Sequence, residues 1–269
     1  MNSEIWFKRK KLSNYSDNRN SSYHIHRTDV IRSLIKHIDF NDLRIIDFGC
    51  GEGIFLNEIL TNYSVADATA LDIDDEMLWK SKSLFANKTN VLVQKGGIEF
   101  LDSIDSGSTD VVFALNVMAY FSADDEKRFY KNISRILKKN GYFVVTHSNQ
   151  IFDFFSLNNY TVDTISSELS GKEYKSKLST LITNSEVLNV VNFGIRENPL
   201  NYHLKLIDYD LELKNIEYIN YHKLPPLIDP LNREKRMDMN FLDTTKVSKK
   251  DRWKLNFQCS TFAALSTKL

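Results

Sequence analysis

The apolar positions of this chain fall into two alternating rhythms. Residues 28–38 place Val30, Ile31, Leu34, Ile35 and Ile38 at helical spacing, with Thr28 as the expected N-cap. Leu43-Arg44-Ile45-Ile46-Asp47-Phe48 is a short β-rich run that ends in a cluster of glycines, after which Ile54, Phe55, Leu56, Ile59 and Leu60 resume helical spacing. The alternation continues with a strand at 68–72, a helix at 75–85, and strands at 91–94 and 110–115. The 110–115 run is almost wholly apolar, as a strand covered on both faces requires. Ser122 with Asp125 three residues on predicts a capped helix start, and Phe129, Ile133, Ile136 and Leu137 give that helix its apolar face. Asn140-Gly141 then stops it, and Tyr142-Phe143-Val144-Val145-Thr146 is a fifth strand. Strands alternating with helices over about 100 residues predict a parallel sheet with helices on both faces.

Past residue 150 the alternation lapses. Residues 151–186 keep helix-like spacing among many Ser, Thr and Asn, which predicts a helical insertion. Residues 202–209 predict one more helix, 216–221 and 254–264 late strands, and 224–250, with three of the four prolines, a long loop. The expected division is therefore a ligand-binding core over 1–150, a helical cap over 151–190, and a remainder over 191–269 that completes the sheet.

Composition narrows the function. The 269 residues carry 35 Lys+Arg against 35 Asp+Glu, so the formal charge is zero. Proteins that hold a polyphosphate backbone usually show a basic excess, and the Lys8-Arg9-Lys10-Lys11 run reads as a solvated face. No nucleic-acid partner is expected. Neither is a membrane partner, because no run approaches the roughly 20 apolar residues that a span needs. The N-terminal sequence does not read as a secretory signal, and two distant cysteines, Cys50 and Cys259, make no disulfide framework. A reducing cytoplasm is the expected compartment.

Three of the nine glycines lie within Asp47-Phe48-Gly49-Cys50-Gly51-Glu52-Gly53. A buried strand running into such a turn and then a helix brings bare backbone against a ligand. The dinucleotide fingerprint G-x-G-x-x-G is not met, because Ile54 stands at its third glycine, and Asp47 would repel a pyrophosphate. An acid there suits an ammonium or sulfonium group. Asp72, ending the second strand, is placed to accept hydrogen bonds from ribose hydroxyls. The combination favours a nucleoside with a zwitterionic tail.

At these residues the sequence resembles the class I S-adenosylmethionine-dependent methyltransferases, over roughly residues 25–147. The segment 47–53 is similar to their first motif, Ala70-Leu71-Asp72-Ile73-Asp74-Asp75-Glu76-Met77-Leu78 to their second, and Lys95-Gly96-Gly97-Ile98-Glu99 to the stretch around the adenine edge. There Gly97 stands at the family's usual Asp, so backbone groups must replace a side-chain bond. Residues 110–121 resemble the fourth-strand motif near the transferred methyl, and 133–142 the helix-then-fifth-strand signature. The resemblance implies a doubly wound, mostly parallel seven-stranded sheet and S-adenosylmethionine as cofactor. It also implies a cofactor site of Asp47, Gly49, Cys50, Gly51, Gly53, Asp72, Ile73, Met77, Gly97, Ile98 and Asn116, with Arg27 and Tyr23 as a clamp for the cofactor's carboxylate.

Transfer to a hydroxyl needs a base near the ends of strands four and five. His147 is the natural candidate, with Tyr120 beside it. Asp124 and Asp125 fit a helix dipole without a metal, and none is expected. Arg196, Glu197, Asn198, Tyr202 and His222 are the candidate acceptor-binding residues, in stretches faintly similar to methyltransferases of bacterial surface-polysaccharide pathways. The expected acceptor is a hydroxyl on a polar small molecule, such as a nucleotide-linked sugar. The N-P-P-Y type motif of base and glutamine methylation is replaced by Asn116-Val117-Met118-Ala119, which leaves a small-molecule amine as the alternative. A protein that binds the cofactor without catalysis is the alternative of another class.

Overall fold

The computed structural model describes residues 22–152, 195–222 and 242–269, with side chains from residue 27 onward. Residues 153–190 of the expected cap and 224–241 of the expected loop lie outside the described residues. Seven strands form one sheet: β1 (Arg44–Phe48), β2 (Asp67–Asp72), β3 (Val91–Lys95), β4 (Thr109–Ala114), β5 (Leu137–Ser148), β6 (Leu211–Tyr221) and β7 (Cys259–Lys268). Their order across the sheet is β3-β2-β1-β4-β5-β7-β6. The β1/β2, β2/β3, β1/β4 and β4/β5 pairs are parallel, and β7 runs antiparallel to both β5 and β6. The C-terminal ends of β1, β2, β4, β5 and β6 therefore share one edge of the sheet with the N-terminal end of β7.

The helices are α1 (Ser22–Ile35), α2 (Ile54–Asn62), α3 (Asp75–Leu84), α4 (Ile98–Leu101), α5 (Ala123–Ile136), α6 (Tyr202–Ile207) and α7 (Leu255–Gln258). They bury two apolar layers, one on each face of the sheet. One joins Phe129, Ile133 and Ile136 of α5 and Leu206 of α6 to Ile46, Val112, Phe143 and Phe262. The other joins Ile31 and Leu34 of α1 and Leu56 and Ile59 of α2 to Ile45, Val111, Val144 and Ala263. Adjacent residues of β1 and β4 thus enter opposite layers, as strand alternation dictates. That is why β4 reads as an unbroken apolar run.

Local signals set most boundaries. Ser122 Oγ accepts the Asp125 N–H at 3.1 Å, and Asp125 Oδ2 accepts the Ser122 N–H at 3.3 Å, closing a reciprocal cap with Asp in the usual Glu place. Three acids fill the first turn of α5, opposite the positive end of its dipole. Asp74 caps α3 by accepting the Glu76 and Met77 N–H groups.

Four expectations need correction. The first helix starts at Ser22, so Thr28 lies inside it and does not cap it. Residues 254–258 are helical, and the last strand runs 259–268. The edge strand β6 begins at 211, where the exposed Glu212 and Lys214 interrupt the apolar pattern. Finally, β5 begins at Leu137, with a register irregularity opposite β4 and Asn140 at φ +63° before the regular ladder resumes at Tyr142.

The α5 cap holds the helix that follows the Asn116–Tyr120 segment. Replacing Ser122 by Ala should cost about 1 kcal/mol of stability, read as a lower denaturant midpoint with an unchanged slope.

Candidate active site

The strand order reverses between β1 and β4, which opens a crevice at the C-terminal edge of the sheet, where ligands bind in open α/β folds. A cleft of about 530 Å³, counted to its open mouth, lies there. The turn after β1 forms its floor. The N–H groups of Gly49 and Cys50 both donate to the Leu71 carbonyl at 2.8 Å, stitching the turn to the end of β2. Gly49 has φ +76°, and a Cβ on it would lie 2.1 Å from Val117 Cγ1, so only glycine lets the β1 turn pack beneath the β4 loop. Gly51 has φ +57° and nothing within 4 Å of a Cβ position, leaving its bare backbone facing the cleft.

Asp72 closes one side. Its Oδ2 accepts the Gly51 N–H at 2.8 Å and its Oδ1 accepts the Asp74 N–H at 2.9 Å. Each oxygen keeps a lone pair for a ligand. Burial raises the Asp72 pKa against the pull of these backbone donors. Ile73, Met77 and Leu115 supply apolar surface, and Asn116 and Tyr120 stand at the β4 end. A carboxylate with spare lone pairs, a wall without Cβ atoms and an apolar slot fit a nucleoside with a ribose, an extended chain and an aromatic base.

Asp47 lies at the end of β1 with 3% exposure. Burial, reinforced by the charge of Asp72, pushes its pKa up to about 7. A cation nearby would favour its ionised form, whereas a pyrophosphate would do the reverse.

Of the residues expected from sequence, the cleft brings together Gly49, Gly51, Asp72, Ile73, Met77, Asn116 and Tyr120. Phe48, Gly96, Leu115 and Val117 also line it. Each of these lies within a motif beside an expected site residue, and only the turn of the backbone shows which neighbour faces inward. Gly96 takes the place expected for Gly97, whose N–H is occupied by Glu99 Oε1 at 2.7 Å. Ile98 is buried in the apolar layer, Gly53 precedes α2 against the Phe85 ring, and Cys50 contacts Ser81, so none of the three lines the cleft. Arg27 is part-buried in α1, also away from the cleft wall, and the Tyr23 side chain lies outside the described ones.

The expectation for His147 does not fit its placement. The imidazole is 2% exposed, stacks on Phe262 and lies 3.1 Å through Nε2 from the Tyr130 hydroxyl. Burial holds its pKa well below the usual histidine value. Tyr202 belongs to the same enclosed group, its hydroxyl 2.8 Å from that of Tyr130. Glu197 pairs with Lys205 at 2.5 Å and forms a parallel bridge with Asn149 just past β5, while the Asn198 side chain accepts the Leu200 N–H. Lys205 also pairs with Glu126. His222 is 3.1 Å from Ser260 Oγ and packs on Phe152. Arg196 is part-buried in the same loop as Glu197. These acceptor-side candidates thus lie outside the cleft lining, most of them in packed polar networks. Among the described residues no His, Cys, Asp and Glu cluster could hold a metal, and no helix is long and apolar enough to cross a membrane.

A family model described as a methyltransferase domain matches residues 46–145. Human EEF1A lysine methyltransferase 2 is 25% identical over 158 residues, 54% of this chain and 58% of that protein. The malonyl-[acyl-carrier protein] O-methyltransferase of Bacteroides thetaiotaomicron is 28% identical over 134 residues, 50% of this chain and 49% of that one. The chain thus spans about half the length of the curated relatives it matches. Among solved structures, an S-adenosylmethionine-dependent methyltransferase from Mesorhizobium loti superposes with a TM-score of 0.56 at 13% identity, covering 90% of this chain and 100% of the other. A second, from Archaeoglobus fulgidus, gives 0.55 at 16%, covering 95% and 99%. At such identities the likeness establishes the fold. Residues 46–145 thus match a methyltransferase domain, and the fold around them is that of S-adenosylmethionine-dependent methyltransferases.

Proposed function

We propose that the protein transfers a methyl group from S-adenosylmethionine to a hydroxyl of a polar small molecule, such as a nucleotide-linked sugar or a surface-polysaccharide component. The observation that carries the cofactor half of this reading is the Asp72 carboxylate, fixed by the Gly51 and Asp74 N–H groups beside the open glycine wall. Asp72 holds the ribose, Ile73 and Met77 flank the adenine, and Gly49 and Gly51 let the methionine chain lie on the backbone. Asp47 supplies negative potential beneath the cationic end. The cofactor supplies an electrophilic methyl on a sulfonium, and transfer is an in-line displacement. Much of the acceleration in such a step comes from holding the nucleophile at near-attack distance.

Asn116 and Tyr120 border the place where the nucleophile must enter. Arg196, Glu197 and Asn198, in the loop bridged to Asn149, together with Tyr202 of α6 and His222 after β6, shape the acceptor side from behind. A balanced charge accords with a small acceptor better than with nucleic acid, and two free thiols accord with a cytoplasmic setting. A small-molecule amine is the second reading, favoured by the similarity to a lysine methyltransferase.

Titration calorimetry with S-adenosylmethionine and S-adenosylhomocysteine tests the cofactor half directly, and absence of binding at millimolar ligand would sink it. Asp72→Ala should weaken binding by about 1.5–3 kcal/mol through loss of charged hydrogen bonds.

The two cleft glycines should separate stability from binding. Gly49→Ala, whose Cβ meets Val117, should lower the melting temperature clearly. Gly51→Ala meets no neighbour, so it should cost only about 1–2 kcal/mol of backbone strain while its methyl intrudes on the cofactor wall and weakens binding.

Asp47 predicts a pH dependence. Its folded pKa of about 7 lies above the usual 3.8. The cofactor-free protein is therefore stabilised by the protonated form at low pH and loses that contribution as pH rises through 7. A bound cation favours the ionised form, so cofactor affinity should rise between pH 6 and pH 8. Asp47→Asn should flatten that rise, and an identical pH profile in the variant would remove Asp47 from the site.

A further inference from the structure

Asn116 is the second residue after β4, on the cleft wall, and its backbone is left-handed with φ +61°. Asparagine tolerates this region better than most residues, but it persists only where neighbours fix it. The neighbour here is Thr146 of β5, 2% exposed. The Asn116 N–H donates to Thr146 Oγ1 at 2.7 Å, and the Thr146 hydroxyl donates to Asn116 Oδ1 at 3.3 Å. A hydroxyl carries one proton and two lone pairs, so the same side chain serves both bonds. The first bond holds the strained backbone and the second fixes the plane of the carboxamide. With Oδ1 turned to Thr146, Nδ2 is the end left to the cleft.

That orientation discriminates between nucleophiles. An attacking amine nitrogen has a single lone pair, which forms the new bond, and its remaining hydrogens need acceptors. An attacking oxygen has a second lone pair that can accept an N–H while the first attacks. The bonds balance accordingly: an oxygen lone pair forms the O–CH3 bond, the C–S bond breaks, and its electrons stay on sulfur, which becomes a neutral thioether. A hydroxyl proton passes to solvent, and a carboxylate has none to lose.

We propose that Thr146 is a positioning residue that presents Asn116 to the nucleophile as a hydrogen-bond donor, and that the nucleophilic atom is an oxygen. This rests on the methyl-transfer reading above.

The test measures S-adenosylhomocysteine release with two probe panels. One holds oxygen acceptors: UDP-glucose, methyl glucoside and the malonyl thioester of N-acetylcysteamine. The other holds amines without an oxygen nucleophile: putrescine, cadaverine and n-butylamine. Turnover is expected with a member of the oxygen panel and with none of the amines. Thr146→Val should lower kcat by about tenfold, the loss of one oriented hydrogen bond, with S-adenosylhomocysteine affinity kept within about twofold. Thr146→Ser, which keeps the hydroxyl, should restore kcat. Asn116→Asp tolerates the same backbone region and lacks the donor, and should cost roughly 100-fold in oxygen turnover, again with product affinity kept.

Turnover confined to amines, or none with any oxygen acceptor, would overturn the proposal. So would equal impairment of the Val and Ser variants. Loss of product affinity in parallel with kcat would assign Asn116 to the cofactor. Failure of the wild-type protein to bind S-adenosylmethionine is a different result, and would overturn the methyl-transfer reading itself.

Discussion

The site depends on the junction between the β1 turn and the end of β2. Three backbone donors from the turn, on Gly49, Cys50 and Gly51, converge on the Leu71 carbonyl and the Asp72 carboxylate. These bonds close a loop that must reverse direction within a few residues while its groups are withdrawn from water, where an unpaired donor or acceptor costs about 1–3 kcal/mol. They also aim Asp72. Its carboxylate is anchored on two N–H groups before any ligand arrives, so little of its freedom remains to be lost on binding. The same turn passes so close to the β4 loop that Gly49 cannot carry a side chain, and through that contact the two walls of the cleft are held in register.

Two carboxylates near the switch point oppose each other electrostatically. Asp72 is compensated by backbone hydrogen bonds, whereas Asp47 is buried in the sheet without an equivalent set of donors, and its pKa is correspondingly high. A cationic ligand relieves that opposition.

The polar groups behind β5 play a different part. The Tyr130 hydroxyl links His147 Nε2 and the Tyr202 hydroxyl inside an apolar layer, with His147 Nδ1 left without a partner, and Lys205 bridges Glu126 and Glu197 above them. Such a network ties α5 and α6 to the end of β5. It explains why a histidine at a strand end can be enclosed: its partner is a tyrosine of a packed helix 17 residues earlier, a pairing with no local signature. Over 254–258 the sequence predicts strand and the structure has helix, for a local reason. Its apolar and polar residues alternate over a stretch too short for the 2.0 and 3.6 periods to be told apart.

The chain by itself determined the alternation of strands and helices, the parallel core, the glycine turn and the acid at the end of the second strand. Each of these is local: periodicity, capping chemistry and positive φ act within a few residues of the positions that encode them. Only the tertiary structure decided which side chains meet. It placed Asn116 against Thr146, 30 positions away, and put Gly96 rather than Gly97 on the cleft. It also enclosed His147. Those outcomes turn on strand register and on which face of the sheet each helix covers. Both are set by burial summed over the whole core, which no single segment of sequence contains.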